Sequence, residues 1–406
     1  MNPLDQVLGA MAGTRSEREA CYRDLHSHPE PSMREERTRG VVTERLRALG
    51  CEVVELGGGL VTVLANGDGP VVLHRADMDG LPVTEETGLP YASTQTTVDA
   101  TGAEVGLMHA CGHDLHVACL LGAVELLASR PDAWSGTFIA VFQPGEEIAA
   151  GGRAMVDAGI TTRVPRPDVA FGQHVLSHEA GVLGTRVGPV MSAGDSIRIT
   201  VFGKGSHGSM PHLGVDPVVL AASIVLRLQT IVAREISPSD FAVVTVGSSR
   251  AGSTSNVIAD HATLLVNLRT YDTGVRDQVV AAIERIVRAE CEASGSPRPP
   301  TFEYYEQYPL TSNDPDVTDT VTAAFRAHLG AGRVVDLGRV PASEDFSVIP
   351  DAFGTPYTYW GVGGFPPGAG VPNHSPLFAP LIQPTLDAGT EAIVVAAMAY
   401  LAPEAA

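Results

Sequence analysis

Lysine is nearly absent from this sequence of 406 residues: Lys204 is the only one, and arginine supplies the other basic charges. Schiff-base chemistry therefore has one candidate residue, and no lysine follows a glycine-rich turn in the order that a phosphate-binding loop requires. The formal net charge is −20, and no basic run offsets it. Nucleic acid and anionic membrane surfaces would be repelled, so we expect neither as a partner.

Cysteine pairs and membrane-directed segments are also missing. The five cysteines are an odd number with no paired spacing, which argues against a disulfide framework. The N-terminal residues Met1–Asp5 lack the basic region and apolar core of a signal peptide. The longest apolar stretch, Ala392–Ala402, is too short to span a bilayer. These features predict a soluble cytoplasmic protein.

The amino-acid composition is that of a globular protein. Hydrophobic residues make up 44% of the chain, and its length exceeds what one hydrophobic core usually organises, so two domains are expected. Up to about residue 188, helical patterns such as 116–129 alternate with short apolar runs typical of buried parallel strands, at 60–64, 71–73, 137–142 and 169–171. This alternation predicts an α/β domain with a mostly parallel sheet.

From about residue 189 the pattern changes to the order β-α-β-β-α, with elements near 195–202, 216–232, 241–246, 262–269 and 277–294. This order predicts a small inserted α+β domain built on an antiparallel sheet. The segment 297–300 is proline-rich and is interpreted as the return linker. We therefore predict a discontinuous first domain, residues 1–188 and 303–406, and an inserted domain, residues 189–302.

Polar side chains follow three of the predicted strands. Asp77 and Asp79 follow the strand that ends at residue 73. Glu146 and Glu147 follow the strand that ends at 142, and His174 follows the one that ends at 171. In open α/β sheets, binding sites form beyond the carboxyl ends of the strands. We expect these segments to bring their side chains to the same edge of one sheet.

The segment His109-Ala110-Cys111-Gly112-His113 indicates a metal centre. Its thiol and imidazole side chains stand at alternate positions, so an extended segment would point them to one side, and both groups are ligands that zinc prefers. We expect Gly112 to let the backbone approach the metal. The metal and a helix N-terminus would both favour the Cys111 thiolate.

Glu146 and Glu147 are expected to have different roles, because the side chains of adjacent residues point in different directions. One carboxylate would bind the metal, and the other would act as general base toward a metal-activated water. Histidines away from these segments are interpreted as ordinary surface or core residues, namely His26, His28, His116, His178, His261 and His328.

Six segments follow one another along the chain as a set of motifs: Arg23–Glu30, Arg75–Pro82, Met108–Asp114, Gln143–Glu147, Met210–His212 and Ser343–Phe346. Together they resemble the amidohydrolase branch of the zinc carboxypeptidase-G/aminoacylase superfamily, which includes hippurate hydrolases and indoleacetyl-amino-acid hydrolases. The resemblance spans essentially the whole chain, and Cys-Gly-His-Asp and Gln-Pro-x-Glu-Glu are its most specific parts.

The resemblance implies a metal-dependent amidohydrolase that cleaves N-acyl amino acids, such as N-acetyl or N-benzoyl derivatives, to a carboxylic acid and a free amino acid. It implies a zinc-peptidase-like catalytic domain with a ferredoxin-like insertion that serves as lid and dimerisation domain, and hence a homodimer. It also implies two divalent metal ions per chain, zinc first, with manganese or cobalt as alternatives.

The resemblance also assigns roles by position. The implied metal ligands are Cys111, His113, Glu147, His174 and His374. Glu146 would be the general base and acid. His207 would stabilise the tetrahedral oxyanion, a role that the equivalent histidine of relatives often fills across a dimer interface. Asn256 and Arg269 would hold the substrate carboxylate, and Asp79 would orient a metal ligand.

The chain departs from this family pattern in the inserted domain. The family usually has Gly-Thr-x-Arg where this chain has Val266–Arg269, Asn-Val-Ile-Pro where it has Asn256–Ala259, and His-Ala-Ala where it has His207–Ser209. The implied metal site is intact, so the departures concern the substrate contacts of the inserted domain.

Three other functions stay open. Gly203–Gly208 fits the G-x-G-x-x-G pattern of a dinucleotide-binding oxidoreductase, but a helix must begin at that motif and the next one is predicted only near residue 216. Cys111 could be the nucleophile of a cysteine hydrolase, which would leave the downstream carboxylates and histidines without a role. A catalytically inactive relative could keep the metals as structural ions, although Glu146 and His207 are present.

Overall fold

The computed structural model describes residues 2–99 and 102–402, which divide into two compact units. The large unit contains the residues up to Val190, Ser312–Gly338 and the residues from Asp345 onward, and the small unit contains Met191–Thr311 and Arg339–Glu344. The boundary predicted at 302/303 falls inside a strand, Thr301–Tyr308, which belongs to the sheet of the small unit. The small unit therefore continues to residue 311.

The helices, in chain order, are α1 (Pro3–Leu8), α2 (Arg15–His26), α3 (Glu36–Ala48), α4 (His113–Ser129), α5 (Gly151–Asp157), α6 (Ile160–Arg163), α7 (Pro217–Arg234), α8 (Thr273–Ala293), α9 (Pro315–Leu329), α10 (Val348–Phe353) and α11 (Ile382–Leu401). The first nine strands in chain order are β1 (Val54–Leu56), β2 (Gly59–Asn66), β3 (Val71–Asp77), β4 (Thr96–Val98), β5 (Glu104–Gly106), β6 (Gly136–Gln143), β7 (Val169–Glu179), β8 (Leu183–Thr185) and β9 (Gly188–Met191, which ends at the unit boundary). The remaining strands are β10 (Ala193–Phe202), β11 (Ser206–His207), β12 (Ala242–Ala251), β13 (Val257–Ile258), β14 (His261–Thr270), β15 (Thr301–Tyr308), β16 (Thr311–Asn313), β17 (Val334–Asp336) and β18 (Tyr357–Phe365).

The large unit is built on a mixed sheet in the order β1-β2-β6-β3-β7-β18-β8-β17. Its four central strands, β6, β3, β7 and β18, run parallel to their neighbours in that group, and antiparallel pairs occur toward the edges. The predicted α/β class with a mostly parallel sheet is confirmed. Strand β7 is longer than predicted because it pairs with β18 as far as Glu179, so His174 lies within this strand rather than after it.

The core of the large unit lies between this sheet and the helices α4 and α11. Phe138, Phe171 and Trp360 of the sheet are fully buried. Helix α4 is buried on nearly all sides, because its sequence is apolar all round rather than on one stripe. Since α4 begins at His113, the packing of the core fixes the position of that imidazole.

The small unit has the antiparallel sheet β12-β14-β10-β15. Alternate residues of β10, Ile197, Ile199 and Val201, are buried in one core with apolar residues of α7 and α8, such as Ile224 and Ile283. The chain order β-α-β-β-α-β is that of a ferredoxin-like fold. The prediction that this unit serves as lid and dimerisation domain stays a prediction.

Helix α7 is, within the described residues, the one helix long and apolar enough to cross a membrane by length and composition alone. Leu220, Ile224 and Leu228 on one side of this helix are buried against the sheet. The other side carries exposed apolar residues, among them Val219 at 63% and Leu226 at 72% exposure. The helix thus covers a sheet with one face and leaves a second apolar face exposed.

The start of α4 depends on Gly112. Its backbone is left-handed, with φ 83° and ψ 22°, a conformation that only glycine adopts at little cost. A Cβ atom built on Gly112 would lie 2.3 Å from Cγ1 of Val175 in β7. The sequence predicts that Gly112 lets the backbone approach a metal, and the structure adds two reasons of its own: backbone conformation and contact with the sheet.

We expect Gly112→Ala to lower the free energy of unfolding by about 2–4 kcal/mol, because a left-handed alanine costs about 1–2 kcal/mol and the overlap with Val175 adds to this cost. Urea unfolding of the metal-free protein measures the loss. Gly50→Ala is the matched control, since Gly50 has φ 78° and a Cβ atom added there would meet nothing within 4 Å, so only the backbone cost should appear. Equal losses in the two variants would show that the contact with Val175 does not matter.

Candidate metal centre

The candidate ligands of the large unit come together near the carboxyl ends of its central strands. Asp77 is the last residue of β3, the segment Glu146-Glu147 follows β6, and His174 lies in β7. Cys111 and His113 come from the turn and the first residue of α4. The convergence expected from the sequence is therefore present in the fold.

Three overlapping groups of side chains have potential ligand atoms within 4.8 Å of one another: Cys111 with His113 and His174, Cys111 with Glu147 and His374, and His113 with Glu146 and Glu147. The Cys111 Sγ atom lies 3.4 Å from His174 Nε2. Glu147 lies between two histidines, with Oε2 3.4 Å from His374 Nε2 and Oε1 3.8 Å from His113 Nε2. The five residues predicted as ligands thus surround a common space.

Two potential ligand atoms at this space, His113 Nε2 and Glu147 Oε1, are buried without a hydrogen-bond partner in the part of the chain that the structure describes. A buried polar atom normally has a partner, and leaving it unpaired costs about 1–3 kcal/mol. A bound cation would satisfy both atoms at once, since each is a lone-pair donor. The donor set of one thiol, three imidazoles and a carboxylate is one that zinc and similar ions accept. The residues therefore fit a divalent metal.

Hydrogen bonds orient two of the imidazoles toward this space. His113 Nδ1 lies 3.2 Å from Asp79 Oδ1, and His174 Nδ1 lies 2.8 Å from the carbonyl oxygen of Val175. Because both partners are acceptors, each Nδ1 carries the proton and each Nε2 presents a lone pair to the space. Such outer contacts commonly fix the ring orientation of metal ligands. Asp79 also accepts hydrogen bonds from the backbone N–H groups of Glu146, at 3.2 Å, and Glu147, at 3.0 Å.

Electrostatics favour a cation at the same place. Burial, together with the charge of Glu147, raises the pKa of the Cys111 thiol well above its usual value. The pKa of Glu147 is raised to about 8, because burial and the carboxylates Asp79 and Asp77 raise it more than His113 lowers it. The cluster therefore has an excess of acidic groups that hold protons when no cation is bound. A divalent ion would replace those protons.

The sequence predicts that His116 is an ordinary surface or core histidine, and in the structure it is buried with both ring nitrogens hydrogen-bonded. His116 Nδ1 lies 2.6 Å from Asp77 Oδ1, and His116 Nε2 accepts a hydrogen bond from the backbone of Val175 at 2.9 Å. Asp77, His113 and His116 form a further group with ligand atoms within 4.8 Å. His113 and His116 lie on the same face of α4, because residues i and i+3 are neighbours on a helix surface.

Buried polar side chains next to the ligand cluster form hydrogen bonds with its carboxylates and with the loop that carries Glu146. Arg75 is 1% exposed and donates to Asp77 at 2.6 Å, to Gln143 at 3.0 Å and to Asp345 at 2.8 Å. Glu35 accepts a hydrogen bond from the backbone N–H of Gly145 at 2.8 Å, which holds the loop that carries Glu146. Burial raises the pKa of Glu35 to about 7, and the neighbouring Asp79 contributes to this rise.

His109 does not join the cluster. Residues 109–112 form a turn rather than an extended segment, so the expectation that His109, Cys111 and His113 point to one side is wrong. Both ring nitrogens of His109 are buried without a hydrogen-bond partner among the described residues. Burial lowers the pKa of His109 to about 4, so the ring is neutral.

The small unit carries the other predicted site residues, and two of them lie side by side. His207 is in β11, which pairs with β13, and Asn256 immediately precedes β13. The carbonyl oxygen of Asn256 accepts a hydrogen bond from the backbone N–H of Gly208 at 2.7 Å. The His207 Nδ1 atom accepts a hydrogen bond from the backbone N–H of Ser209 at 3.2 Å. The proton of the neutral ring is therefore on Nε2, which makes that atom a donor.

Arg269 lies elsewhere in the small unit, on β14. Its Nε donates to Asn267 Oδ1 at 3.0 Å, and its Nη1 contacts the Ser343 hydroxyl. The segment Gly203–Gly208 contains β11, and the next α-helix, α7, begins only at Pro217. No helix begins at this motif, so the geometry of a dinucleotide-binding fold is not present there.

The sequence and the fold of this chain are similar to those of known peptidases and amidohydrolases. The sequence profile of peptidase family M20/M25/M40 matches residues 73–399. Thermostable carboxypeptidase 1 of Saccharolobus solfataricus is 37% identical over 88% of each chain, and N-acyl-L-amino acid amidohydrolase of Geobacillus stearothermophilus is 37% identical over 70% of this chain and 75% of its own. A dinuclear metal-binding peptidase of the M20 family from Bacillus subtilis superposes with a TM-score of 0.77 at 29% identity, covering 95% of this chain and 98% of its own.

The matched residues 73–399 extend over both units of the chain. The profile covers more than half of the residues, and relatives above 30% identity align over more than two thirds of the chain. The chain therefore belongs to peptidase family M20/M25/M40, which confirms the family resemblance that its motifs predict.

Proposed function

We propose that this protein is a metal-dependent amidohydrolase that cleaves the amide bond of N-acyl amino acids to a carboxylic acid and a free amino acid. The observation that carries the proposal is the buried cluster of thiol, imidazole and carboxylate ligands with two unpaired ligand atoms. Relatives named N-acetyl-L-cysteine deacetylase and N-acyl-L-amino acid amidohydrolase support this substrate class.

Five residues are proposed to hold two divalent ions, with zinc first because one ligand is a thiolate and with manganese or cobalt as alternatives: Cys111, His113, Glu147, His174 and His374. Their ligand atoms already lie within 4.8 Å in overlapping groups. The bound ions would supply Lewis acidity, which lowers the pKa of water and polarises the amide carbonyl. Asp79 keeps His113 in the orientation that this arrangement needs.

Glu146 is proposed as the general base and acid. It is 5% exposed and has a carboxylate oxygen within 4.8 Å of ligand atoms of His113 and Glu147. Its adjacent backbone position lets Glu147 bind metal while Glu146 faces the reacting water. Glu146 would take a proton from the water and return it to the nitrogen of the leaving amine, so that the amide bond breaks to an acid and an amine.

The small unit is proposed to supply the contacts to the rest of the substrate. His207 would donate from Nε2 to the oxyanion, consistent with the acceptor role of its Nδ1 toward Ser209. Arg269 and Asn256 would hold the substrate carboxylate, and the planar guanidinium of arginine suits bidentate recognition of that group. These proposed roles would favour N-acyl amino acids over simple amides.

Glu146→Gln should keep the metals and lower kcat by about 10²–10⁴-fold, the usual contribution of a general base. The amide cannot accept a proton but has nearly the same shape and can keep the local packing. Amine release from N-acetyl and N-benzoyl amino acids measures the rate, and elemental analysis measures the bound metal. Glu44→Gln, at an exposed position on α3, should have no effect. Substantial hydrolysis by Glu146→Gln would refute the assignment of the base.

Removal of metal should abolish amine release, and refilling with zinc, manganese or cobalt should restore it. A chelator followed by dialysis and stoichiometric metal addition tests this directly. A cysteine hydrolase based on Cys111 would keep its activity after chelation, because a thiolate nucleophile needs no metal. Full metal binding without hydrolysis of a broad acyl panel would favour an inactive relative instead.

We also propose that two copies associate through the small unit. Strand β12 is at the edge of the sheet, where unpaired backbone groups are available to a second strand. The exposed apolar face of α7, with Val218, Val219 and Leu226, offers apolar surface that a second copy would cover.

A cytoplasmic location is proposed as well, since the described cysteines are all free.

Leu226→Glu should convert the dimer to a monomer, because a carboxylate would be buried without a partner in the interface. Sedimentation velocity at micromolar concentration measures the mass. Leu377→Glu is the control, since Leu377 is an exposed leucine of the large unit at 53% exposure. A parent protein that is already monomeric, or a Leu226→Glu variant that stays dimeric, would contradict the proposal.

A further inference from the structure

Two side chains of the small unit, Asn267 and Ser343, form hydrogen bonds with the guanidinium of Arg269. Arg269 lies on β14 opposite Gly194 of β10. The neighbouring residues Leu268 and Val266 are buried in the core with α7 and α8, so alternation along the strand places Arg269 and Asn267 on the other face of the sheet. This is the face that the two helices do not cover.

A chain of hydrogen bonds crosses this face. The Arg269 Nε atom donates to Asn267 Oδ1 at 3.0 Å, while Asn267 Nδ2 donates to Ser196 Oγ at 3.2 Å. The Ser196 hydroxyl donates to Glu306 Oε2 at 3.2 Å. The amide of Asn267 is thereby fixed from its far side, and its oxygen can face only Nε of the guanidinium.

A second contact fixes the guanidinium at Nη1. This atom donates to the hydroxyl of Ser343, whose oxygen lies 3.2 Å from the hydroxyl of Ser192. A Cβ atom at position 194 would lie 2.7 Å from Nη1 and 2.7 Å from the Ser343 hydroxyl. Gly194 therefore leaves the space in which Arg269 and Ser343 meet.

We infer that Asn267 and Ser343 are positioning residues that fix the plane of the Arg269 guanidinium, and that Gly194 keeps the space for it. Bidentate binding of a carboxylate requires a defined guanidinium plane, and two fixed nitrogens remove the torsional freedom of a long side chain before substrate arrives. The consequence is selectivity for substrates with a free carboxylate beside the amide nitrogen. The inference rests on the proposed function, in which Arg269 binds that carboxylate.

The test compares two substrates that differ only in this group, an N-acetyl amino acid and the same compound with a carboxamide. We expect Asn267→Leu and Ser343→Ala to raise KM for the carboxylate substrate about tenfold, the effect of weakening one hydrogen bond to a charged group, with little change in kcat. Neither variant should change KM for the carboxamide. Gly194→Ala should act in the same direction, because its methyl group displaces Nη1.

Two further variants separate positioning from a general structural role. Asn267→Asp keeps an acceptor for Nε and should restore most of the selectivity that Asn267→Leu loses. Thr263→Val, on the same strand and face, is the matched control and should behave like the parent. In an Arg269→Ala background, Asn267→Leu should have no further effect on the carboxylate substrate. Equal losses on both substrates, or additive losses in the double variant, would overturn the inference.

A spectroscopic readout keeps this test independent of turnover. The ¹H–¹⁵N correlation of Arg269 Nε, assigned by its absence in Arg269→Lys, should shift and exchange faster with solvent in Asn267→Leu but not in Thr263→Val. An unchanged signal in Asn267→Leu would refute the positioning role whatever the enzyme hydrolyses. A parent that hydrolyses no N-acyl amino acid with any metal, yet shows the expected change of this signal, would refute the proposed function and leave the hydrogen-bonded support of Arg269 intact.

Discussion

The carboxylate of Asp79 joins the two segments on which the metal centre depends. It accepts hydrogen bonds from His113 at the start of α4, from Ser32, and from the backbone of Glu146 and Glu147 after β6. The group is buried, and although burial opposes ionisation, the hydrogen bond and charge of His113 lower the pKa of Asp79. One buried anion therefore fixes a ligand on a helix and two carboxylates on a loop. A movement of His113 at the start of α4 would therefore disturb Glu146 and Glu147 after β6, and the reverse also holds.

A second set of buried charges makes this arrangement possible. Arg75 binds Asp77 and Asp345 within the large unit, so the carboxylates below the ligand cluster have a permanent cation beside them. A buried ion pair stabilises little by itself, but loss of one partner is expensive because it leaves an unpaired charge. Such a network suits a site that must keep several carboxylates close together, since it balances part of their charge without occupying the ligand space.

The sequence predicted the fold class, and the convergence of the proposed ligands, more fully than it predicted local geometry. Periodicity predicted β3, β6, β7 and most of α4 but not the fourth central strand, β18, and the motifs pointed to Cys111, His113 and the two glutamates. His116 is the core histidine that the sequence predicts, but its contacts with Asp77 and Val175 appear only in the structure. His109 was expected to share the face of Cys111 because the segment was assumed to be extended. The left-handed Gly112 and the early start of α4 turn it away, and neither feature follows from periodicity.

Helix α4 has a consequence for the lifetime of the folded chain. The seventeen residues that begin with His113, a proposed ligand, form a helix buried in the core, so disorder of the helix would displace this imidazole as well. An ion that binds only the folded state stabilises it by RT ln(1 + [L]/Kd), about 2.7 kcal/mol at a hundredfold excess over Kd. The supply of metal in the cell would then govern the abundance of this protein through degradation, before any question of turnover arises.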